Sequence, residues 1–262
     1  MIYVGTSGFS YKDWVGAFYP LELPQRDWLR YYARHFRACE LNFTYYRPPD
    51  RRTMKRLANR VPQDFLFTVK AYQGLTHERA SSREDFAVFL EGLEPLMEEG
   101  KLGCVLAQFP YSFTPTRENR EYLRVVAGNL SSVPLVVEFR NVRWLTRETF
   151  AFLRDHNIGF CCVDEPPLRG LMPPIAEATG NVAYVRFHGR NKEKWWNHKE
   201  AWERYDYTYS RDELKEWVPK IGYLQQKADT VFLFANNHWR GQAVDTARQL
   251  RDLLREEGYE VV

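Results

Sequence analysis

The stretch Tyr184–Arg190, YVRFHGR, begins as an apolar β-strand and ends in two arginines and a histidine. Side chains alternate across a strand, so Val182, Tyr184, Arg186 and His188 share one face, and Ala183, Val185 and Phe187 share the other. The wholly apolar face suits a covering layer of helices. The mixed face then points into a closed sheet and turns polar at its C-terminal end. Taken alone, the pattern also fits an edge strand with a solvated face, so the rest of the chain has to decide.

Seven further apolar, β-branched runs read as strands: Ile2–Thr6, Ala38–Asn42, Phe65–Lys70, Gly103–Gln108, Pro134–Arg140, Ile158–Asp164 and Thr230–Asn236. Segments of helical period lie at Gln25–His35, Asp50–Arg60, Arg83–Glu98, Arg117–Gly128, Thr146–His156, Arg211–Lys227 and Gly241–Glu257. Eight strands alternating with helices predict an α/β fold, a single (β/α)8 TIM-type barrel domain over residues 1–262. An open doubly wound sheet would show fewer strands and a Gly-rich first turn, and no G-x-G-x-x-G occurs. Two departures are expected. EPPLRGLMPPIAEATG (Glu165–Gly180) is too rich in proline for a full helix, so the sixth helix is short or irregular. NKEKWWNHKEAWERYDYTYS (Asn191–Ser210) is a long loop after strand seven, and such loops in compact domains usually carry function.

The same alternation places Glu40 and Asn42 together at the end of strand two, Thr68 and Lys70 in strand three, and Gln108 in strand four. It places Glu138 with Arg140 in strand five, Asp164 after Cys162 in strand six, and Asn236 with His238 after Phe232 and Phe234 in strand eight. Solvated ends explain one or two such patterns. Seven converging ones predict a shared pocket, because each unpaired polar group buried in a barrel costs about 1–3 kcal/mol. The expected place is the C-terminal face, where barrels hold their sites.

These stretches also carry a family resemblance. GTSGFSY (Gly5–Tyr11) with Trp14 and FYP (Phe18–Pro20), ELNFTYY (Glu40–Tyr46), LGCVLAQFP (Leu102–Pro110), VEFRNVRW (Val137–Trp144), YVRFHGR and NNHWRGQA (Asn236–Ala243) resemble the DUF72 family of YecE-like proteins. Phe9 stands where that family often has Trp, and Ala235 where an aromatic is common. The resemblance implies a TIM-type barrel and names no activity. A nucleic-acid role follows only by analogy with endonuclease IV-type barrels, which is analogy of fold rather than of site.

The residues themselves point to an anionic, phosphate-containing ligand, a nucleotide or nucleic acid. Arg140 and Arg186 offer planar, bidentate donors, with Lys70 and Arg190 nearby. Thr6 and Ser7 add hydroxyls, and Asn42, Gln108 and Asn236 add amides. NNHWRG opens a helix whose N-terminal N–H groups favour an anion. If the site is catalytic, in a phosphodiesterase- or hydrolase-like manner, Glu40 or Glu138 serves as base and His188 as acid. Against this stands a structural network in which the arginines pair with Glu40, Glu138 and Asp164. A single divalent metal on Glu40, Glu138, Asp164, His188 and His238 is the less favoured cofactor reading, and a G-x-S-x-G elbow is absent. Trp195 and Trp196 are expected as a lid stacking on bases or sugars, with packing over the rim as the alternative. Two rival functions remain: a non-catalytic nucleic-acid binder, and a barrel acting on a neutral sugar.

The formal charge of +3 is mildly basic and permits an anionic partner without demanding one. No run approaches the roughly 18–20 apolar residues of a membrane span, and MIYVGTSG lacks the features of a signal peptide. Together these predict a cytoplasmic protein without membrane contact. The four cysteines, Cys39, Cys104, Cys161 and Cys162, lie in strand-like runs and are expected to be small core residues.

Overall fold

The computed structural model describes residues 1–262, the side chain of Ala201 apart. Eight parallel strands close into a barrel in chain order. They are β1 (Ile2–Ser7), β2 (Ala38–Leu41), β3 (Leu66–Lys70), β4 (Leu102–Gln108), β5 (Leu135–Glu138), β6 (Gly159–Asp164), β7 (Val182–Phe187) and β8 (Thr230–Ala235). The outer layer holds α1 (Trp28–Tyr32), α2 (Arg51–Ala58), α3 (Arg83–Glu98), α4 (Arg117–Asn129), α5 (Arg147–Asp155), α6 (Arg211–Lys215), α7 (Val218–Lys227) and α8 (Gln242–Glu256). The predicted (β/α)8 barrel is the observed fold. No helix among the described residues is long and apolar enough to cross a membrane.

Local chemistry explains where the helices start and stop. Asp50, Ser82, Thr116, Thr146 and Ser210 each cap a helix, accepting a backbone N–H of the first turn. Pro166, Pro167, Pro173 and Pro174 keep the connection from β6 to β7 free of helix among the described residues, as its composition predicts. The expected helix Arg211–Lys227 is instead two helices, broken at Glu216 and Trp217. Pro219 has no N–H to give and its ring crowds the carbonyl four residues back, so the second helix starts afresh around it. The first helix is also shorter than its pattern suggests, a 3-10 turn at Gln25–Asp27 leading into α1.

Register fixes which face each side chain takes, since residues level with one another in a parallel ladder share a face. Ser7 pairs with Glu40, Glu40 with Thr68, Thr68 with Cys104, and Gln108 with Glu138. On the other side Arg186 is level with Phe234, and Tyr184 with Phe232. All of these face the interior, which is filled by Tyr3, Tyr184, Phe232 and Phe234 below and turns polar above. Gly189, at φ 89°, then turns the chain out of the barrel. A Cβ there would lie 2.6 Å from Cβ of Tyr207.

Candidate functional site

Arg186 lies at the centre of the polar layer, and only 2% of its surface is exposed. Its Nη2 donates to Glu40 Oε1 and its Nη1 to Glu138 Oε2, both at 2.7 Å. Tyr184 donates its hydroxyl to Glu40 Oε2 at 2.7 Å, so the Thr68 hydroxyl, 2.8 Å away, donates to Tyr184. Arg140 Nε meets Glu138 Oε1 at 2.7 Å, and its Nη1 donates to Glu165 Oε2 at 3.1 Å. Burial by itself would raise the Glu138 carboxyl, but Arg140, Arg186 and His188 together hold it well below the usual carboxylate range. His188 is buried and neutral, held well below its ordinary value by desolvation and by Arg140. Asn236 Nδ2 donates to its Nδ1 at 2.9 Å, which leaves Nε2–H to donate to Glu138 Oε1 at 3.1 Å.

Above this layer opens a cavity of about 670 Å³. Its walls are aromatic: Phe9, Tyr11, Phe43, Tyr45, Tyr205, and His238, which stacks on Tyr11 at 4.7 Å between ring centroids. Its charged lining is Lys70, Arg140, Arg186 and Arg204, with no carboxylate among the described residues. A smaller chamber of about 230 Å³ adjoins it across Gln108, Arg140, Arg204 and Tyr205, and is walled by His77, Tyr111, Trp195 and Trp196. Among the described residues, four side chains that line the cavity carry a buried polar atom without a hydrogen-bond partner: Asn42 Oδ1, Arg186 Nε, Arg204 Nε and His238 Nδ1. Such groups are rare in native interiors and mark places where a further partner is accommodated.

The charges at this mouth do not balance. Glu40 and Glu138 are matched by Arg186 and Arg140. Glu165 is pushed up to about 7, by burial first, with Arg140 opposing. Lys70 and Arg204 make no ion pair among the described residues. Burial, and then the neighbouring Arg186, push Lys70 down to about 7. The Arg204 guanidinium sits 5.4 Å above the ring of Trp195.

Several residues read from the sequence take other places. Asp164 is level with Phe187, not Arg186, and so faces the helices. There it accepts from Arg190 Nε and Nη2 at 2.9 and 2.7 Å, from Tyr209 at 2.6 Å and from Trp217 Nε1 at 2.7 Å. Asp164 and Arg190 therefore form a structural cluster outside the mouth. Thr6 is level with Cys39 and also faces outward, its hydroxyl bonded to Gly8 O and shared with Tyr32. Glu40, Glu138 and His188 come together as expected, but in the network around Arg186 and Arg140, and none of the three lines the cavity. Trp195 is 2% exposed and packs edge-on to His188, while Trp196 is 54% exposed and meets the ring of Tyr111, so the two do not act as one lid. The less favoured metal set loses Asp164 to the outer face, and no group of three or more His, Cys, Asp or Glu side chains among the described residues could hold an ion. All four cysteines are buried and free. Glu165, Tyr45 and Arg204 were not singled out from the sequence. Glu165 had a signal: once Asp164 faces out, alternation turns the next residue inward, where it meets Arg140.

The chain is similar to one family and to three proteins. The family described as "Protein of unknown function DUF72" matches residues 3–261. The UPF0759 protein YunF of Bacillus subtilis is 35% identical over 97% of this chain and 95% of its own. A DUF72 family protein from Thermotoga maritima, solved by crystallography, has a TM-score of 0.90 at 43% identity, covering 97% of this chain and 99% of that one. The UPF0759 protein YecE of Escherichia coli is 32% identical over 44% of this chain and 40% of its own.

Proposed function

The chain belongs to the DUF72 family, and from the chemistry of its cavity we propose that it binds an anionic, ring-bearing ligand at the C-terminal mouth of the barrel, a nucleotide or a segment of single-stranded nucleic acid. One observation carries this reading. Among the described residues, Lys70 and Arg204 lack carboxylate partners and face an aromatic cavity that no carboxylate lines. Positive groups without counter-ions in a partly desolvated cleft attract an anion strongly. Aromatic walls stack on any base, and the adjoining chamber gives room for a second ring beyond the cations. Arg186 contributes differently from what its charge suggests: two carboxylates already occupy it, so it positions the floor of the site rather than gripping the ligand.

Processing of the ligand is the weaker half of the reading. A base must reach the proton that it removes. Glu138 is saturated by donors and His188 has both ring nitrogens engaged. This placement favours binding over hydrolysis by that pair.

A thermal-shift panel of nucleotides, short single-stranded oligonucleotides, sugar phosphates and matched neutral sugars, each with and without Mn²⁺ or Zn²⁺, tests the proposal. A ligand that binds only the folded state raises the melting point by mass action. The expected result is stabilisation by phosphorylated ring-bearing ligands, lost in Lys70→Met and Arg204→Ala. Stabilisation by neutral sugars alone, or by nothing in the panel, contradicts it.

A further inference from the structure

Lys70 differs from the arginines of the mouth in what holds it. Arg140 and Arg186 are clamped by Glu138, Glu165 and Glu40. Lys70 Nζ makes no ion pair or hydrogen bond among the described residues, and it lies 4.4 Å from the centroid of the Tyr45 ring. Its backbone, by contrast, is fixed: β3 is laddered to β2 and β4, and the Thr44 hydroxyl donates to the Lys70 carbonyl at 2.6 Å. A rigid strand end thus presents an unengaged amine to the cavity.

The surroundings leave part of that amine neutral near neutral pH. Burial and the Arg186 guanidinium bring it down to about 7, and beside it His77 is pushed down to about 4, by its own burial and then by Lys70. A lysine that is partly desolvated next to other cations is the recognised state of an amine nucleophile. The same guanidinium charges would stabilise an oxyanion developing on a carbonyl attacked by Nζ.

We propose that Lys70 captures carbonyl compounds: its amine forms an imine with an aldehyde or ketone whose anionic group is held by Arg204 and Arg140, which line the same cavity. The anionic half of this proposal rests on the binding reading above, and the imine half does not. The Nζ lone pair adds to the carbonyl carbon, and the carbonyl oxygen takes a proton to give a carbinolamine. The nitrogen lone pair then expels that hydroxyl as water. The carbonyl oxygen and the two amine hydrogens leave as one water molecule, and the imine nitrogen takes up a proton from solvent. No oxidant or reductant enters.

The experiment uses pyridoxal 5′-phosphate as a probe, with pyridoxal as its phosphate-free match. The full-length protein is incubated with each near neutral pH, reduced with borohydride, and mapped by peptide mass spectrometry. The proposal expects a pyridoxyl group on Lys70 ahead of the surface lysines, formed more readily by the phosphorylated probe and suppressed by inorganic phosphate. Lys70→Met and Lys70→Arg should both lose the label, and Lys70→Arg, which keeps a cation there, shows that the loss is one of amine chemistry rather than of folding. Label spread evenly over surface lysines, or unchanged in the two variants, overturns the imine. Equal labelling of Lys70 by both probes, unaffected by phosphate, overturns the anion-directed half and counts against the binding reading. Phosphate-dependent stabilisation without label on Lys70 overturns the imine alone.

Discussion

The Arg186 guanidinium and the Glu40 carboxylate meet at 2.7 Å across the top of the barrel, tying β7 to β2. The second arm of Arg186 reaches Glu138 on β5 at the same distance. One side chain therefore bridges two fully buried carboxylates. Removing it leaves Glu40 without its guanidinium partner while Arg140 still holds Glu138, and breaking a buried pair in this way costs about 3–5 kcal/mol. Arg186→Ala should lower the midpoint of urea unfolding accordingly. A wild-type midpoint would mean that the network contributes little, and that Arg186 is free to serve a ligand.

Trp195 and Trp196 should behave as opposites despite being neighbours. Trp195 is buried between His188 and the Arg204 guanidinium, so Trp195→Ala is expected to cost about 3–5 kcal/mol of stability. Trp196 is exposed, and Trp196→Ala should change stability by no more than about 0.5 kcal/mol. It should instead weaken binding of an oligonucleotide that reaches the second chamber, by about 1–3 kcal/mol. Chemical unfolding and a fluorescence titration of the two variants separate these outcomes.

Asp164→Ala removes a carboxylate that accepts from Arg190, Tyr209 and Trp217. It should destabilise the docking of the Asn191–Ser210 loop, read as faster proteolysis there, and weaken the ligand only as far as that loop, which carries Arg204 and Tyr205, is loosened. A loss of affinity with no change in proteolysis of the loop would place Asp164 in the binding machinery after all.

Lys70 sets a pH dependence whose sign follows from its depressed value. The unfolded chain keeps this proton up to about pH 10.4, whereas the folded protein releases it at about 7. Between those values the unfolded state holds more protons, so the contribution of Lys70 makes stability rise with pH. Below 7 both states are charged and the slope vanishes. Lys70→Met should abolish that rise and be more stable than the wild type under mildly acidic conditions. Anion binding should weaken in the wild type as pH rises through 7, and lose that dependence in the variant. Denaturant midpoints and affinities measured across this range check both.

The barrel was legible in the chain because its signals are local and repeated: each strand carries its own alternation, and each helix its own cap. Convergence of Glu40, Glu138, Arg186 and His188 followed from alternation plus the assumption that polar strand ends point inward. That assumption failed at β6. Asp164 faces the helices, since Trp217, Tyr209 and Arg190, all distant in sequence, supply polar partners there. Nothing in residues 158–164 alone distinguishes the two faces; register against β7 does. The cation Arg204 lay hidden for a related reason. It comes from the loop after β7, where period carries no information, and only the folded loop sets it against Trp195 and the cavity.

Lys70 and Arg204 are the charges proposed to meet an anion. A calorimetric titration of a short single-stranded oligonucleotide tests this most directly, run on the wild type at low and high salt and on the Lys70→Met/Arg204→Ala double variant, with the matched neutral nucleosides as control. The expected result is binding to the wild type that weakens as salt rises, loss of binding in a double variant that still unfolds cooperatively, and much weaker binding of the nucleosides. Equal affinity of wild type and double variant, or no binding at either salt, would contradict it.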